Sequence, residues 1–147
     1  MKKALATIDC VVVGVEVGHG KRHGVLSDYT FAVRDTDADR LVTIGKAYSG
    51  LTDAEIAEMT KRFLNLTVDD RGWARIVRPE VVLEVAFDSI QHSGRHASGY
   101  ALRFPRIVRI RDDKPVDEID TLDRVAELYE RYFGTQTVEK LSEVAEI

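Results

Sequence analysis

The sequence predicts a mainly β protein, a five-stranded Greek-key barrel with a helix between strands 3 and 4 and a C-terminal helix. Three β-branched segments come first, a capped amphipathic helix follows, and two further apolar regions precede the last helix. Strand-strand-strand-helix-strand-strand is the element order of this small barrel. Element order alone leaves an α+β sandwich as a competing architecture.

The first three strands are predicted from β-branched and alternating apolar residues. Ile8–Val17 is mostly apolar, and Val25–Asp35 alternates around its aromatic residues. Leu41–Ala47 follows a polar turn, and Tyr48–Gly50 closes it. The glycine-punctuated basic segment 18–24 is predicted to be the loop between the first two strands.

A helix is predicted from about Asp53 to Leu64. Thr52 and Glu55 have the spacing of a capping box, in which each side chain binds the other residue's backbone N–H. Apolar residues then recur at helical spacing, namely Ile56, Met59, Phe63 and Leu66.

The rest of the chain is predicted from weaker signals. In order, these are a turn at Val68–Gly72, a strand region over Ala74–Gln91 interrupted at Pro79, a loop at Ser93–Gly99 and a strand over Tyr100–Arg111. A last helix is expected from about Asp120 to Phe133, with one apolar face formed by Leu122, Val125, Ala126, Tyr129 and Phe133. Residues 1–133 then form one domain. Residues 134–147 form an acidic tail, in which the apolar spacing could extend a helix.

Composition excludes several classes of protein. The 147 residues are 44% hydrophobic and 31% charged, as in a single globular domain. No apolar run reaches the ~18 residues that cross a bilayer, so no membrane partner is expected. The single cysteine, Cys10, excludes a disulfide framework and a four-cysteine zinc site. A reducing, cytoplasmic setting is therefore expected.

The charge is unevenly distributed along the chain. Residues 1–111 carry 17 Lys+Arg and 14 Asp+Glu, giving +3, whereas residues 112–147 carry 4 and 11, giving -7. A mildly basic body with an acidic C-terminal segment is a reason to look for a basic binding face.

The segment 103–114 is rich in arginine. If Tyr100–Arg111 is one regular strand, Arg103, Arg109 and Arg111 share one face, and an apolar set shares the other. That apolar set, expected to join the core, is Phe104, Val108 and Ile110. Arginine binds phosphate oxygens bidentately, and nearby aspartates can hold it in position. The alternative is a solvated strand face with salt bridges.

The stretch ALRFPRIVRIRDDKP resembles motif VI of ATP-dependent DNA ligases, which ends in Arg-x-Asp-Lys. Arg111, Asp113 and Lys114 match that ending, and Arg103 to Arg106 match its Arg-Phe-Pro-Arg element. Further similarity to the ligase oligonucleotide-binding (OB-fold) domain extends over roughly residues 4–133. It covers the segments DCVVVGVEVGHGKRHGVLSDYTFAVRD, GKAYSGLTDAEI, RPEVVLEVAFDSIQHS and DTLDRVAELYERY.

The ligase family's nucleophilic lysine, in Lys-x-Asp-Gly, has no counterpart in this sequence. The chain therefore resembles the C-terminal domain without the adenylation domain. Alone it is expected to be inactive and to bind no cofactor tightly. The resemblance implies that the whole ligase uses ATP and Mg²⁺, and that the partners are nicked duplex DNA and the adenylation domain of the same ligase.

The resemblance also implies roles for individual residues. Arg111, Asp113 and Lys114 are the expected catalytic residues. When the nucleophilic lysine of the adenylation domain is adenylated, pyrophosphate leaves, and Arg111 and Lys114 are expected to bind its phosphates while Asp113 orients them. The expected ATP-phosphate ligands are Arg109, Arg111 and Lys114. The expected DNA-binding residues are His19, Lys21, Arg22, Arg103 and Arg106.

Some aromatic residues and histidines leave more than one interpretation open. The pairs His19/His23 and His92/His96 have i, i+4 spacing, but both lie among glycine and serine, so no metal site is expected. Trp73, Tyr29 and Phe31 could stack on bases, although core packing is favoured for Phe31. Cys10 is expected in the core.

Two other functions compete with a ligase domain. One is a free-standing module of the same fold that binds single-stranded nucleic acid. The other is the related domain of an RNA-capping nucleotidyltransferase. The Arg-x-Asp-Lys ending favours a ligase over a pure binding module, and the long match in the first two strands favours DNA ligase over a capping enzyme.

Overall fold

The computed structural model describes residues 6–18 and 25–134. Strands in these ranges are β1 (Ala6–Val17), β2 (Leu26–Asp35), β3 (Arg40–Ala47), β4 (Thr67–Asp70), β5 (Ala74–Val77), β6 (Val82–Phe87), β7 (Ser89–His92), β8 (Tyr100–Arg103) and β9 (Arg106–Ile110). Helix α1 is Asp53–Leu66 and α2 is Leu122–Tyr129, with a 3₁₀ turn at Val116–Glu118 and a π-helical turn at Glu130–Gly134.

The antiparallel sheet is built around β1. This long strand pairs with β2 along one edge, and with β5 and β6 along the other. β3 extends the sheet beyond β2, β4 extends it beyond β5, and β9 pairs with β6. β7 and β8 form a separate two-stranded ribbon. The mainly β prediction is confirmed, and the first three strands lie where the sequence placed them.

A hydrogen-bonded seam joins the third strand to the last part of the barrel. The Ser98 hydroxyl donates to the Thr43 carbonyl oxygen at 2.7 Å, and the Ile107 N–H donates to the Ser49 carbonyl oxygen at 2.9 Å. Gly50 lies at this seam with φ +113°, and a Cβ there would be 2.0 Å from the Ile107 carbonyl oxygen. The seam therefore requires glycine at position 50.

The two later predicted strands are both divided. The region Ala74–Gln91 becomes β5, β6 and β7. Tyr100–Arg111 breaks between β8 and β9 because Phe104 has φ +53° and Pro105 has no N–H to donate. The predicted turn at Val68–Gly72 is wrong for Val68 to Asp70, which belong to β4; Asp69 and Asp70 pair with β5, and Val68 lies at a register shift.

The capping box of α1 is confirmed. Glu55 N–H donates to the Thr52 hydroxyl oxygen at 3.1 Å, and Thr52 N–H donates to the Glu55 carboxylate at 3.0 Å. The helix continues two residues past the predicted end, because Leu66 belongs to the same buried face. The buried ring of Phe63 packs on that of Tyr29, with 5.0 Å between ring centroids.

The core fills the inside of the curved sheet. Phe31 and Cys10 are buried there, as predicted, and burial raises the pKa of the Cys10 thiol. A smaller apolar cluster lies on the opposite face of the sheet and contains Val11, Ala32, Val82 and Ile119. The segment that follows Pro115 packs against this outer face, which brings the C-terminal part of the domain next to β1.

The predicted core face of the arginine strand is wrong in two of its three residues. Phe104 is 66% exposed and Val108 is 48% exposed, whereas Ile107 is 4% exposed and lies in the core. Glu84 pairs with Arg109 and the next residue of β6 pairs with Ile107, so Val108 is an extra residue in a bulge. A bulge shifts the alternation of faces by one position.

The C-terminal helix lies close to its predicted bounds, with α2 over Leu122–Tyr129 followed directly by the π-helical turn over Glu130–Gly134. Thr121 caps α2 by accepting from the Arg124 N–H at 3.2 Å, and Tyr129 ends it. Its buried face includes Leu128, which the predicted apolar face lacked. The acidic tail prediction lies outside the described residues. Among the residues described, no helix is long and apolar enough to cross a membrane.

Candidate functional site

Lys114 is held by a carboxylate from the first strand. Its ammonium donates to Asp9 Oδ2 at 2.5 Å, across 105 residues of sequence. The Lys114 side chain is 27% exposed and the Asp9 side chain is 12% exposed. This hydrogen bond raises the pKa of Lys114, so its positive charge is retained at physiological pH.

Arg111 is held by two carboxylates. Its Nε and Nη2 donate to the two oxygens of Asp113, both at 3.0 Å, which is a bidentate pair. Its Nη1 lies 3.6 Å from Asp9 Oδ1. The Arg111 guanidinium holds the pKa of the exposed Asp113 carboxyl at about 2, so Asp113 stays ionised under all ordinary conditions.

Asp9 was not predicted as a site residue. It interrupts the apolar run of the first strand, and that isolated charge is the sequence signal that marks it. On β1, Ile8 and Cys10 point into the core, so Asp9 points to the outer face. Its backbone N–H donates to Asp120 Oδ2 at 2.7 Å, which ties it to the segment before α2.

Arg109 lies on the same outer face. It pairs with Glu84, which in turn pairs with Asp9 across β6 and β1. Arg109 Nε donates to Glu84 Oε1 at 2.7 Å, and this bond lowers the pKa of the Glu84 carboxyl. The structure thus brings together Arg109, Arg111, Asp113 and Lys114, four of the candidate residues named from the sequence, and adds Asp9 and Glu84.

The cluster of Asp9, Glu84, Arg109, Arg111, Asp113 and Lys114 has three cations and three carboxylates. A lysine ammonium has three donors and an arginine guanidinium five, so phosphate oxygens can bind while the carboxylates keep their bonds. Both Lys114 and Arg111 are partly exposed. The cluster is balanced in charge, and what it can offer a polyphosphate is cationic N–H donors held in position.

Arg103 and Arg106 lie at the other end of this strand region. The Arg103 guanidinium lies 5.4 Å from the centre of the exposed Phe104 ring. Arg106 Nη1 donates to Asp88 and to the Phe104 carbonyl oxygen, each at 3.0 Å. Arg103 was predicted to share one strand face with Arg109 and Arg111. The regular alternation that this prediction requires is interrupted at Phe104, between β8 and β9.

Other sequence candidates separate into buried and exposed residues. Tyr29 is buried, whereas Trp73 is exposed on the β4–β5 hairpin. His92 packs on Tyr100, and His96 Nδ1 lies 2.7 Å from Thr43 Oγ1. Within residues 6–18 and 25–134, no group of three His, Cys, Asp or Glu side chains could hold a metal ion. His19, Lys21, Arg22 and His23 lie outside the described residues.

The fold and the cluster define an OB-fold domain in which a carboxylate-held Arg-x-Asp-Lys sequence directly follows β9. Comparison with known families gives a specific match. The family described as "ATP dependent DNA ligase C terminal region" matches residues 22–114. The chain belongs to this family.

Curated relatives support the same assignment. The chain is 65% identical over 123 residues to a probable DNA ligase from Opitutus terrae, covering 83% of this chain and 12% of the relative. It is 58% identical over 137 residues to a probable DNA ligase from Koribacter versatilis, covering 93% of this chain and 23% of the relative. The chain thus spans less than a quarter of either relative.

Solved structures agree on the fold. The ligase domain of M. tuberculosis LigD matches with a TM-score of 0.63 at 21% identity, covering 78% of this chain and 38% of that one. A mycobacterial DNA ligase D complexed with ATP and MES matches with a TM-score of 0.60 at 20% identity, covering 79% and 38%.

Proposed function

We propose that this chain is the C-terminal domain of a ligase that seals nicks in duplex DNA, and that Arg111 and Lys114 bind the β and γ phosphates of ATP during lysine adenylation. The observation that carries the proposal is the geometry of the Arg-x-Asp-Lys sequence. Both cations are held by carboxylates on one face and remain partly exposed.

The chemistry of adenylation explains why fixed cations are needed. The lysine of the adenylation domain attacks the α phosphorus of ATP, and pyrophosphate leaves with the bonding electrons. Negative charge therefore grows on the leaving phosphates, and donors already in position lower the barrier. Asp113 occupies the Nε–Nη2 edge of Arg111 and Asp9 lies near Nη1, so the N–H groups that these carboxylates leave unbonded are the ones available to the phosphates. Arg109 adds positive charge beside them.

The metal requirement belongs to the whole ligase. ATP-dependent DNA ligases use ATP with a metal ion, and Mg²⁺ is commonly held by substrate phosphates together with one or two carboxylates. The described residues of this domain offer no metal cluster of their own. Mg²⁺ would thus arrive with ATP, and this domain would contribute side-chain charge.

A cytoplasmic setting fits the reduced, buried Cys10.

The DNA-binding role rests on a second surface. Arg103, Phe104 and Arg106 form an exposed unit of two cations and one ring at the β8–β9 break. His19, Lys21 and Arg22, in the segment of sequence between β1 and β2, would add further contacts. Contacts of this kind are made to phosphates, so they hold the duplex without reading its sequence.

The first expected result concerns DNA binding by this chain. Nicked duplex DNA should bind weakly, and less as salt rises, with a slope that reflects ~3–6 phosphate contacts. Arg103→Ala and Arg106→Ala should each reduce the salt slope by about one contact. Fluorescence anisotropy at several salt concentrations measures both effects.

Arg71→Ala is the matched control, because Arg71 is an exposed arginine in the turn between β4 and β5, paired with Asp69. It should leave the slope unchanged. Binding that does not depend on salt, or an equal effect of all three substitutions, would contradict the proposed DNA surface.

The second expected result concerns catalysis by the chain alone. Incubation with α-labelled ATP should give no covalent AMP adduct, because the sequence lacks Lys-x-Asp-Gly. Denaturing electrophoresis would show this, with a complete ATP-dependent ligase as the positive control. A labelled band at 16.5 kDa would mean that this chain carries its own nucleophile.

A further inference from the structure

We propose that Asp9 is a positioning residue for adenylation, which holds Lys114 and Arg111 at a fixed separation for the triphosphate. The inference rests on the proposed function of these two cations. It adds a residue from the opposite end of the chain, outside the Arg-x-Asp-Lys sequence.

The two oxygens of Asp9 face different cations. Oδ2 accepts from Lys114 Nζ at 2.5 Å, and Oδ1 lies 3.6 Å from Arg111 Nη1. One carboxylate thus spans both phosphate-binding groups. A lysine side chain has four rotatable bonds and gains a defined position only from such a partner.

Asp9 is itself rigidly placed. It lies in the middle of the β1–β6 ladder, opposite Glu84. Its N–H donates to Asp120 Oδ2 at 2.7 Å, and its carbonyl oxygen accepts from the Asp120 N–H at 3.0 Å. Lys114, by contrast, closes a short turn, in which its N–H donates to the Arg111 carbonyl oxygen at 3.3 Å. Asp9, held in β1, therefore fixes the position of Lys114 in that turn.

Asp113 binds Arg111 with both of its carboxylate oxygens, and Asp9 is the carboxylate that binds Lys114. Both oxygens of Asp113 accept from Arg111, and the carboxylate is exposed. The two positioning tasks are divided: Asp113 orients Arg111, and Asp9 orients Lys114 while also facing Arg111.

The effect of removing the Asp9 charge on ATP binding distinguishes positioning of Lys114 from electrostatic attraction of ATP. A carboxylate beside bound phosphates repels them, so removing its charge does not weaken ATP binding. Removing it does release Lys114 from its defined position. Asp9→Asn should therefore lower the adenylation rate constant at saturating ATP without raising the KM for ATP.

The contact can be tested first in the full chain. Lysine side-chain NMR titrations of the wild type, Asp9→Asn and Glu16→Gln report the pKa of Lys114. Glu16→Gln is the matched control, because Glu16 is on the same strand and accepts from Lys46 at 2.9 Å. Asp9→Asn should lower the pKa of Lys114, and Glu16→Gln should leave it unchanged. An unchanged pKa in Asp9→Asn would overturn the proposal.

The function can then be tested in the ligase that carries this domain. Asp9→Asn should slow adenylation at least tenfold at saturating ATP and leave sealing of a pre-adenylated nick unchanged. Glu16→Gln should change neither step. A rise in the KM for ATP with an unchanged rate constant, or equal loss in both steps, would overturn positioning.

Lys114→Met supplies the coupling test. Because Asp9 acts mainly through Lys114, Asp9→Asn should cost less in the Lys114→Met background than in the wild type, whereas equal costs would overturn the proposal. The double variant leaves neither charge unpaired, so it remains available if Asp9→Asn alone fails to fold. If Lys114→Met blocks adenylation and Asp9→Asn does not, positioning fails while the proposed function stands. If Lys114→Met leaves adenylation intact, the proposed function itself fails.

Discussion

Lys114→Ala and Arg111→Ala are each expected to slow lysine adenylation about 100-fold in the ligase that carries this domain, and to spare the joining of pre-adenylated nicked DNA. Pyrophosphate leaves only in the first step, so only that transition state needs these cations. Loss of one fixed donor to developing charge costs about 3 kcal/mol of barrier, or ~100-fold in rate.

Separate rate measurements for the two chemical steps test this expectation. Lys61→Ala is a suitable control, because Lys61 is an exposed lysine on α1. It should change neither rate. If Lys114→Ala left adenylation intact, or lowered both steps equally, the role assigned to Lys114 would be wrong.

The stability of these variants needs a separate measurement. From the strand pattern alone, neither cation was expected to matter for folding. The structure changes that expectation, because Lys114→Ala leaves the mostly buried Asp9 without its ammonium partner. A cost of about 1 kcal/mol is expected, and thermal melts should show it as a modest shift. Rates should be compared at a temperature where every variant is folded.

Ile107→Asp is expected to unfold the domain, whereas Val108→Asp should leave it folded. Ile107 is buried in the core, and its N–H joins the seam at Ser49. An unpaired carboxylate there costs several kcal/mol, a large part of the ~5–15 kcal/mol stability of a domain. Val108 lies in the bulge with about half of its surface exposed, so a carboxylate at that position stays in water.

Circular dichroism and thermal melts of the two variants decide the matter. The pair is closely matched, since the same charge is added at adjacent positions. The strand pattern taken from the sequence predicted the reverse order, with Val108 in the core. If Val108→Asp unfolded and Ile107→Asp melted like the wild type, the strand pattern with Val108 in the core would be correct, and the bulge would be contradicted.

Local signals were sufficient for much of this domain. The capping box needs only Thr52 and Glu55, three residues apart, and the helix after it needs only the spacing of its apolar residues. The first three strands follow from β-branched composition. The Arg-x-Asp-Lys ending is a contiguous sequence, so the ligase family could be identified from it before any geometry was available.

Tertiary structure decided the features that depend on distant partners. The bulge at Val108 belongs to the hydrogen-bond register between β9 and β6. The residues of β9 alone do not indicate that register. The partnership of Asp9 with Lys114 joins residues 105 positions apart, and only the packing of the C-terminal segment on the outer face of β1 brings them together. Sequence periodicity describes one element at a time. The sequence therefore determined which residues carry the charge, and the pairing of strands decided where each charge lies.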